Sequence, residues 1–508
     1  MDVIHSLLNG FATALVPINL LYCFFGVFIG TLIGVLPGIG PAATLAMLLP
    51  ITFSVNPTSA MIMLCGIWYG AQYGGSTTSI LINVPGESAS VVTCLDGYAL
   101  AKQGRAGAAL GMAAFGSYIA GTFSVIILML LAPPLANFAL KFGPPEYFCL
   151  MAFGLSTVTS LGGKPIKALI MAVFGFSLSM VGMDPMSGAE RFTFDWLELT
   201  DGIGFIPIAM GLLGVGEVLL SLEKWGEKYE VIKFKQKRFR DILPSAQDWI
   251  DCKWTLVRAS ILGFMVGTLP GSGAAVASFI AYAIEKKVSK HPEKFGEGAI
   301  EGVAAPESAN NSGVGGAMVP LFALGIPGSA TTALLLGALL MFGLQPGPLL
   351  FQKNPEFVWS VIASMYIGNI LLLALNLPLI GIWVRILDIP RSILYPLILI
   401  FTFVGAFSNK NNLFDLWVLL IFGFIGFFAK KYGYPPAPAI LAYILGPMME
   451  KSLRRAMAMS HGSVGIFFER PICLILIVLI FLVMVLPPAV NLWMTGRKAR
   501  AEESPAPR

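Results

Sequence analysis

Two short stretches, GVLPGIGPAAT at 34–44 and GTLPGSGAAVA at 267–277, each set a proline and several glycines beside a long apolar run. Proline lacks a backbone donor and glycine loosens a turn, so each LPGxG motif predicts a helix break that frees N–H and C=O groups. Freed backbone groups can bind a solute. The candidate donors at the breaks are Gly38, Gly40 and Thr44, then Gly271, Ser272 and Gly273. Further neutral donors follow each motif: Gly75, Ser76, Thr77 and Thr78 in the first case, Ser308, Asn310, Asn311 and Ser312 in the second, with Gly328, Ser329 and Thr331 beyond them. Helix N-termini carry about half a positive charge. Together with hydroxyl and amide donors they suit a carboxylate without burial of a fixed cation. No Lys or Arg occurs in 30–50, 66–92, 263–283 or 301–345. Glu87 and Glu307 are candidates for a coupling ion, a proton or a bound cation, because acids at membrane depth are costly without a function. The competing reading sets both at a water-filled hairpin mouth. Asp96, Lys102 and Arg105 read as loop charges.

Such motifs need elements to position them, and the composition says which. Of 508 residues, 56% are hydrophobic and 12% charged, against about 45–50% apolar and about a quarter charged in soluble domains. Apolar stretches at 12–35, 106–132, 163–181, 203–221, 357–384, 393–407, 413–429 and 471–490 approach or exceed the roughly 20 residues that cross a hydrocarbon core as a helix. The runs are continuous rather than alternating, which favours helices over a β-barrel. The expected fold is an all-α polytopic membrane protein with about ten to twelve spans. MDVIHSLLNGFA holds no Lys or Arg and is followed by no small-residue cleavage site, so the first segment reads as retained rather than as a signal peptide.

The two LPGxG motifs align without gaps at Gly34, Leu36, Pro37, Gly38, Gly40 and Ala42 against Gly267, Leu269, Pro270, Gly271, Gly273 and Ala275. Each is followed by a Gly-Gly pair (Gly74-Gly75; Gly315-Gly316), an apolar stretch and a Pro-Gly (Pro85-Gly86; Pro327-Gly328). PPEYF at 144–148 is echoed by NPEFV at 354–358. Landmarks recurring in one order predict a duplication: a first membrane repeat at 1–222, a basic linker at 223–256, a second repeat at 257–445, a C-terminal membrane region at 446–490 and a polar tail at 491–508. Residues 223–254 hold eight Lys and Arg, and 496–500 hold three, so both segments are expected on the cytoplasmic side. Paired broken helices in two halves point to a transporter's binding site.

Other chemistries find less support. The six cysteines are scattered without a CxxC pair, and His5, His291 and His461 share no metal-ligand spacing, so neither a disulfide framework nor a zinc site is expected. No cofactor is called for beyond Na⁺ or H⁺ as coupling ion. Ser76 has no histidine in its own window, and the polar runs lack a GxSxG elbow, which argues against an enzyme. A passive anion channel, or a secondary transporter without a binding protein, remains the alternative.

The strings GVLPGIGPAAT, YGGSTTSILINVPGESASVVTCLDGYALAKQGRAGAALG, PESANNSGVGGAMVPLFALGIPGSATTALLLGALL and GLQPGP carry a family resemblance over roughly residues 18–445. The chain resembles the large membrane subunit, TctA type, of the tripartite tricarboxylate transporters. That resemblance implies a bacterial inner-membrane permease for di- or tricarboxylates of the citrate kind. It also implies two partners, a small four-helix membrane subunit of the TctB type and a periplasmic solute-binding protein of the TctC type. A cation gradient, rather than ATP, would drive it; the absence of a Walker A motif agrees with this.

Overall fold

A computed structural model describes residues 3–484 except 37, 162–164, 185, 224–231, 233–238, 272 and 387–390. In chain order the first half comprises α1 (Val3–Ala14), α2 (Pro17–Gly34), α3 (Pro41–Leu48), α4 (Pro57–Ile82), α5 (Thr93–Leu100), α6 (Ala106–Ala139), α7 (Pro144–Leu161) and α8 (Pro165–Ser179). A two-residue hairpin follows, β1 (Gly182–Met183) against β2 (Glu190–Arg191), antiparallel, and then α9 (Leu197–Thr200), α10 (Phe205–Ala209) and α11 (Gly216–Glu223). The second half has α12 (Ala246–Thr268), α13 (Gly273–Val288), α14 (Glu301–Leu324), α15 (Ala330–Met341), α16 (Pro348–Lys353) and α17 (Pro355–Asn376). It ends with α18 (Ile380–Ile386), α19 (Arg391–Lys410), α20 (Leu413–Lys431), α21 (Ala437–Met459) and α22 (Ile466–Glu469). Among the described residues, five helical segments are long and apolar enough to cross a membrane: Pro17–Gly34, Thr93–Ala139, Phe205–Glu223, Pro355–Asn376 and Leu413–Lys431. Five shorter apolar helices accompany them. The chain is an all-α, multi-pass membrane protein.

The centre of the bundle is formed by two helices that are not the most apolar. Almost every residue of α4 and of α14 is buried, although both carry runs of Ser, Thr, Asn and Gly. Glycine is what lets their neighbours approach. Along α2, a Cβ at Gly26, Gly30 or Gly34 would fall 2.2–2.5 Å from backbone oxygens of Met63, Ile67 and Ala71 on α4. Along α12, the same would happen at Gly263 and Gly267 against Ala309 and Gly313 of α14, at 2.3–2.4 Å. Small residues spaced one turn apart drive helix association where no water is present to make apolar contact favourable. Helix α6 lies against both α4 and α14 and joins the two pairs.

Both anticipated breaks are present. Helix α2 ends at Gly34 and α3 begins at Pro41, and Gly38 between them takes φ +88°. Helix α12 ends at Thr268 and α13 begins at Gly273, with Gly271 at φ +82°. These left-handed conformations are open to glycine at little cost, which is the physical reason for the glycine that follows each motif's proline. Pro37 and Ser272 lie outside the described residues.

Two readings of charge differ from the structure. Asp96 is not a loop charge but a fully buried member of α5. Its Oδ1 accepts from the amides of Gly296, Gly298 and Ala299 at 2.8–2.9 Å, and its Oδ2 from the Tyr282 hydroxyl at 2.8 Å. Arg105 pairs with Asp248 at 2.6 Å. The stretch read as a linker to residue 256 turns helical at Ala246, where Ser245 and Asp248 cap α12 reciprocally. Most of its basic residues, and the tail beyond 484, lie outside the described residues.

Candidate functional site

The two broken segments meet at one cavity of about 300 Å³. Gly40, Pro41 and Ala42 reach it from the start of α3, and Gly271, Gly273, Ala274 and Ala275 from the start of α13. Gly328, Ser329, Ala330 and Thr331 reach it from the start of α15. The break before α13 is pinned to the Pro-Gly turn before α15 by a bond from the Gly271 amide to the Gly328 carbonyl, 2.7 Å. Three helix N-termini therefore face a common space. Each end carries about half a unit of positive charge and first-turn amides without intrahelical acceptors. Trp68 and Gln72 of α4, Glu87 and Ser88, and Ala437 and Leu441 of α21 complete the wall. No Lys or Arg is among these described lining residues, so the helix ends are the positive groups in the wall.

The remaining anticipated donors stand behind that wall. Gly38 lies near Ser221 and Glu217 instead, and the Thr44 hydroxyl donates to the Gly40 carbonyl at 3.1 Å, inside its own helix. Gly86 lets the Pro85-Gly86 turn pass against Gly75 of α4, since a Cβ on Gly86 would sit 2.3 Å from the Gly75 Cα. Thr78 donates to the Gly75 carbonyl and Thr77 is buried. Ser308 is buried in α14, and the Ser312 hydroxyl bonds the Ser260 carbonyl at 2.6 Å. Asn311 donates to the Ser117 hydroxyl at 2.7 Å, tying α14 to α6. Ser329 and Thr332 cap α15 reciprocally.

Neither acid stands in open water. Glu307 is 1% exposed, and its two carboxylate oxygens each accept a hydroxyl, from Ser76 and Thr93, at 2.5 Å. Glu87 is 9% exposed; it lines the cavity, and its Oε1 accepts from the Asn310 amide at 2.9 Å. The two acids thus tie α4 and the 85–93 turn of one half to α14 of the other. Sequence reasoning passed over Gln72 and Thr93. Gln72 was visible as a lone polar residue in IWYGAQYGG, whereas nothing local marks Thr93 as the partner of an acid 214 positions away.

Comparison with known proteins identifies the family. The family model described as "Tripartite tricarboxylate transporter TctA family" matches residues 20–441. A protein of Agrobacterium vitis, described as an uncharacterized 52.8 kDa protein in the TAR-I ttuC' 3'region, is 49% identical over 473 residues, 93% of each chain. A second from the same organism, described as an uncharacterized protein in the TAR-II ttuC' 3'region, is 47% identical over 210 residues, 41% of this chain and 87% of its own length. No solved structure matches. With both breaks inside the matched span, the chain belongs to the TctA family of tripartite tricarboxylate transporters.

Proposed function

We propose that this subunit is the permease of a secondary active, binding-protein-dependent transporter. It sits in the bacterial inner membrane, imports citrate-like di- or tricarboxylates, and is coupled to Na⁺ or H⁺. A small TctB-type membrane subunit and a periplasmic TctC-type protein complete the system. The observation that carries the reading is the convergence of α3, α13 and α15 on one cavity from two halves of the chain. A helix N-terminus stabilises an anion by about 0.3–1 kcal/mol at a surface and up to about 2 kcal/mol in buried geometry. Three ends acting on one carboxylate group or its neighbours are enough to hold a metabolite and weak enough to release it. The halves are taken as duplicated, and rocking one against the other exposes the cavity alternately to each side.

All six native cysteines are buried, so a thiol introduced in the cavity is a selective probe. In a Thr331→Cys variant of the full chain, citrate or succinate should slow modification by a charged methanethiosulfonate several-fold, as occupancy of a site does. A variant that still transports but is labelled equally fast with and without these solutes would remove the cavity as the binding site.

A further inference from the structure

The cavity wall contains a feature that an anion does not explain. Gln72 and Asn310 are each 1% exposed, and the side-chain oxygens Gln72 Oε1 and Asn310 Oδ1 have no hydrogen-bond partner among the described residues. Buried amide oxygens are ordinarily satisfied, so two left bare in one region point to something they accept. Asn310 touches the Glu87 carboxylate, and Gln72 lines the same cavity as Glu87. Asn310 holds Glu87 Oε1 through its amide nitrogen, and the oxygen of the same planar amide is left as an acceptor without a donor. Gln72 and Gly75 are three residues apart on α4 and share a face, and Glu87 packs on Gly75, with its Cγ 3.2 Å from where a Gly75 Cβ would be. Gln72 and Glu87 line the cavity together.

Resting on the carboxylate reading of the cavity, we propose that Glu87, Asn310 Oδ1 and Gln72 Oε1 form a Na⁺ site at its wall. One carboxylate balances one unit of charge, and neutral amide oxygens supply the hard ligands that an alkali ion prefers. A proton on Glu87 would give one O–H donor, which can meet one of the two amide oxygens and leaves the other bare. Glu307 is built differently: its oxygens already take two hydroxyl hydrogens, so it offers no comparable shell. The arrangement also accounts for coupling. An ionised Glu87 in the wall repels an entering carboxylate, whereas with Na⁺ bound the wall is neutral and the three helix ends act unopposed. Sodium binds first and the anion second, and linkage requires each to tighten the other by the same factor.

The test uses purified full-length protein in detergent and radiolabelled Na⁺, with choline as the replacement cation. Wild-type protein should bind Na⁺ saturably. Glu87→Gln and Gln72→Leu should each weaken binding roughly tenfold or more, as loss of a ligand does, while Glu293→Gln, at an exposed acid outside the site, leaves it within about twofold. Gln72→Leu keeps the test valid if Glu87→Gln does not fold. Absence of Na⁺ binding to wild type, or affinity unchanged in both ligand variants, overturns the site. A second arm separates the two proposals: citrate protection of Thr331→Cys should strengthen roughly tenfold or more when Na⁺ replaces choline. Protection that is equal in choline overturns the sodium site and keeps the carboxylate cavity. Sodium binding without any protection by citrate or succinate keeps the cation site and overturns the carboxylate reading.

Discussion

Asp96 shows what a single buried charge is worth when it is fully met. Its four acceptor bonds join α5 to the 296–299 turn and to Tyr282 on α13, elements of opposite halves. Removing the carboxylate leaves three amides and a phenol without their acceptor, at about 1–3 kcal/mol for each one shut off from water, as at Ala299. Asp96→Ala is therefore expected to lower the melting temperature of the detergent-solubilised protein sharply, while Asp96→Asn, which retains an oxygen for the three amides, should lower it less. Equal melting curves for wild type and Asp96→Ala would show that the clasp carries no stability. This residue also marks where sequence reading stops. The dipeptide Asp96-Gly97 looks like a turn, and its partners lie some 200 positions away, so no local pattern discloses them. By contrast Gly40, Gly271 and Ser329 were legible as backbone-rich positions in an apolar setting, because a broken helix in a membrane needs a reason.

At the level of elements, the glycine seams decide how closely paired helices approach. A Cβ at Gly30 would lie 2.5 Å from the Ile67 carbonyl, and one at Gly267 would lie 2.4 Å from that of Gly313. Backbone cannot yield as a side-chain tip can. Gly30→Val and Gly267→Val should each force α2 from α4 or α12 from α14, with loss of the monodisperse peak in size-exclusion chromatography. Gly296→Ala serves as a comparison: it meets no atom within 4 Å, and its φ of +94° makes it strained but not clashing. A sharp peak from both valine variants would mean the seams tolerate separation. The apolar runs and the two breaks were readable from residue types, since each follows from a local rule. The continuity of α4 and α14 was not. Their Ser, Thr and Asn clusters, with Pro306 and Pro320 inside α14, look like irregular polar segments until neighbouring helices are present to satisfy them.

Across the whole molecule, the hairpin of β1 and β2 is fastened to α21 by charge. Asp184 accepts from the Met186 amide at 2.9 Å and the Ser187 hydroxyl at 2.8 Å, and it meets Arg454 at 2.8 Å and Arg191 at 3.6 Å. The Met186 amide first, then Ser187, then the two guanidinium groups hold its carboxyl below the usual carboxylate range. A folded-state pKa below the unfolded value, about 3.9 for Asp, gives stability that is present above that value and is lost as pH falls through the folded one. The melting-temperature gap between wild type and Asp184→Asn should therefore be open at pH 7 and narrow below about pH 4. A gap independent of pH would exclude this fastening. The repeated landmarks led to an expectation of two duplicated halves. The meeting of the two breaks at one cavity was anticipated from the paired motifs, whereas the wall added by Ala437 and Leu441 of α21 was not, because it depends on how distant helices pack. One further consequence follows from a solute grip made of peptide groups. Amide hydrogens neither titrate nor change when a side chain is substituted, so acidity of the medium acts on the solute and on nearby acids, not on the grip itself. Mutational drift at α3, α13 and α15 alters the shape of the chamber while its polarity persists.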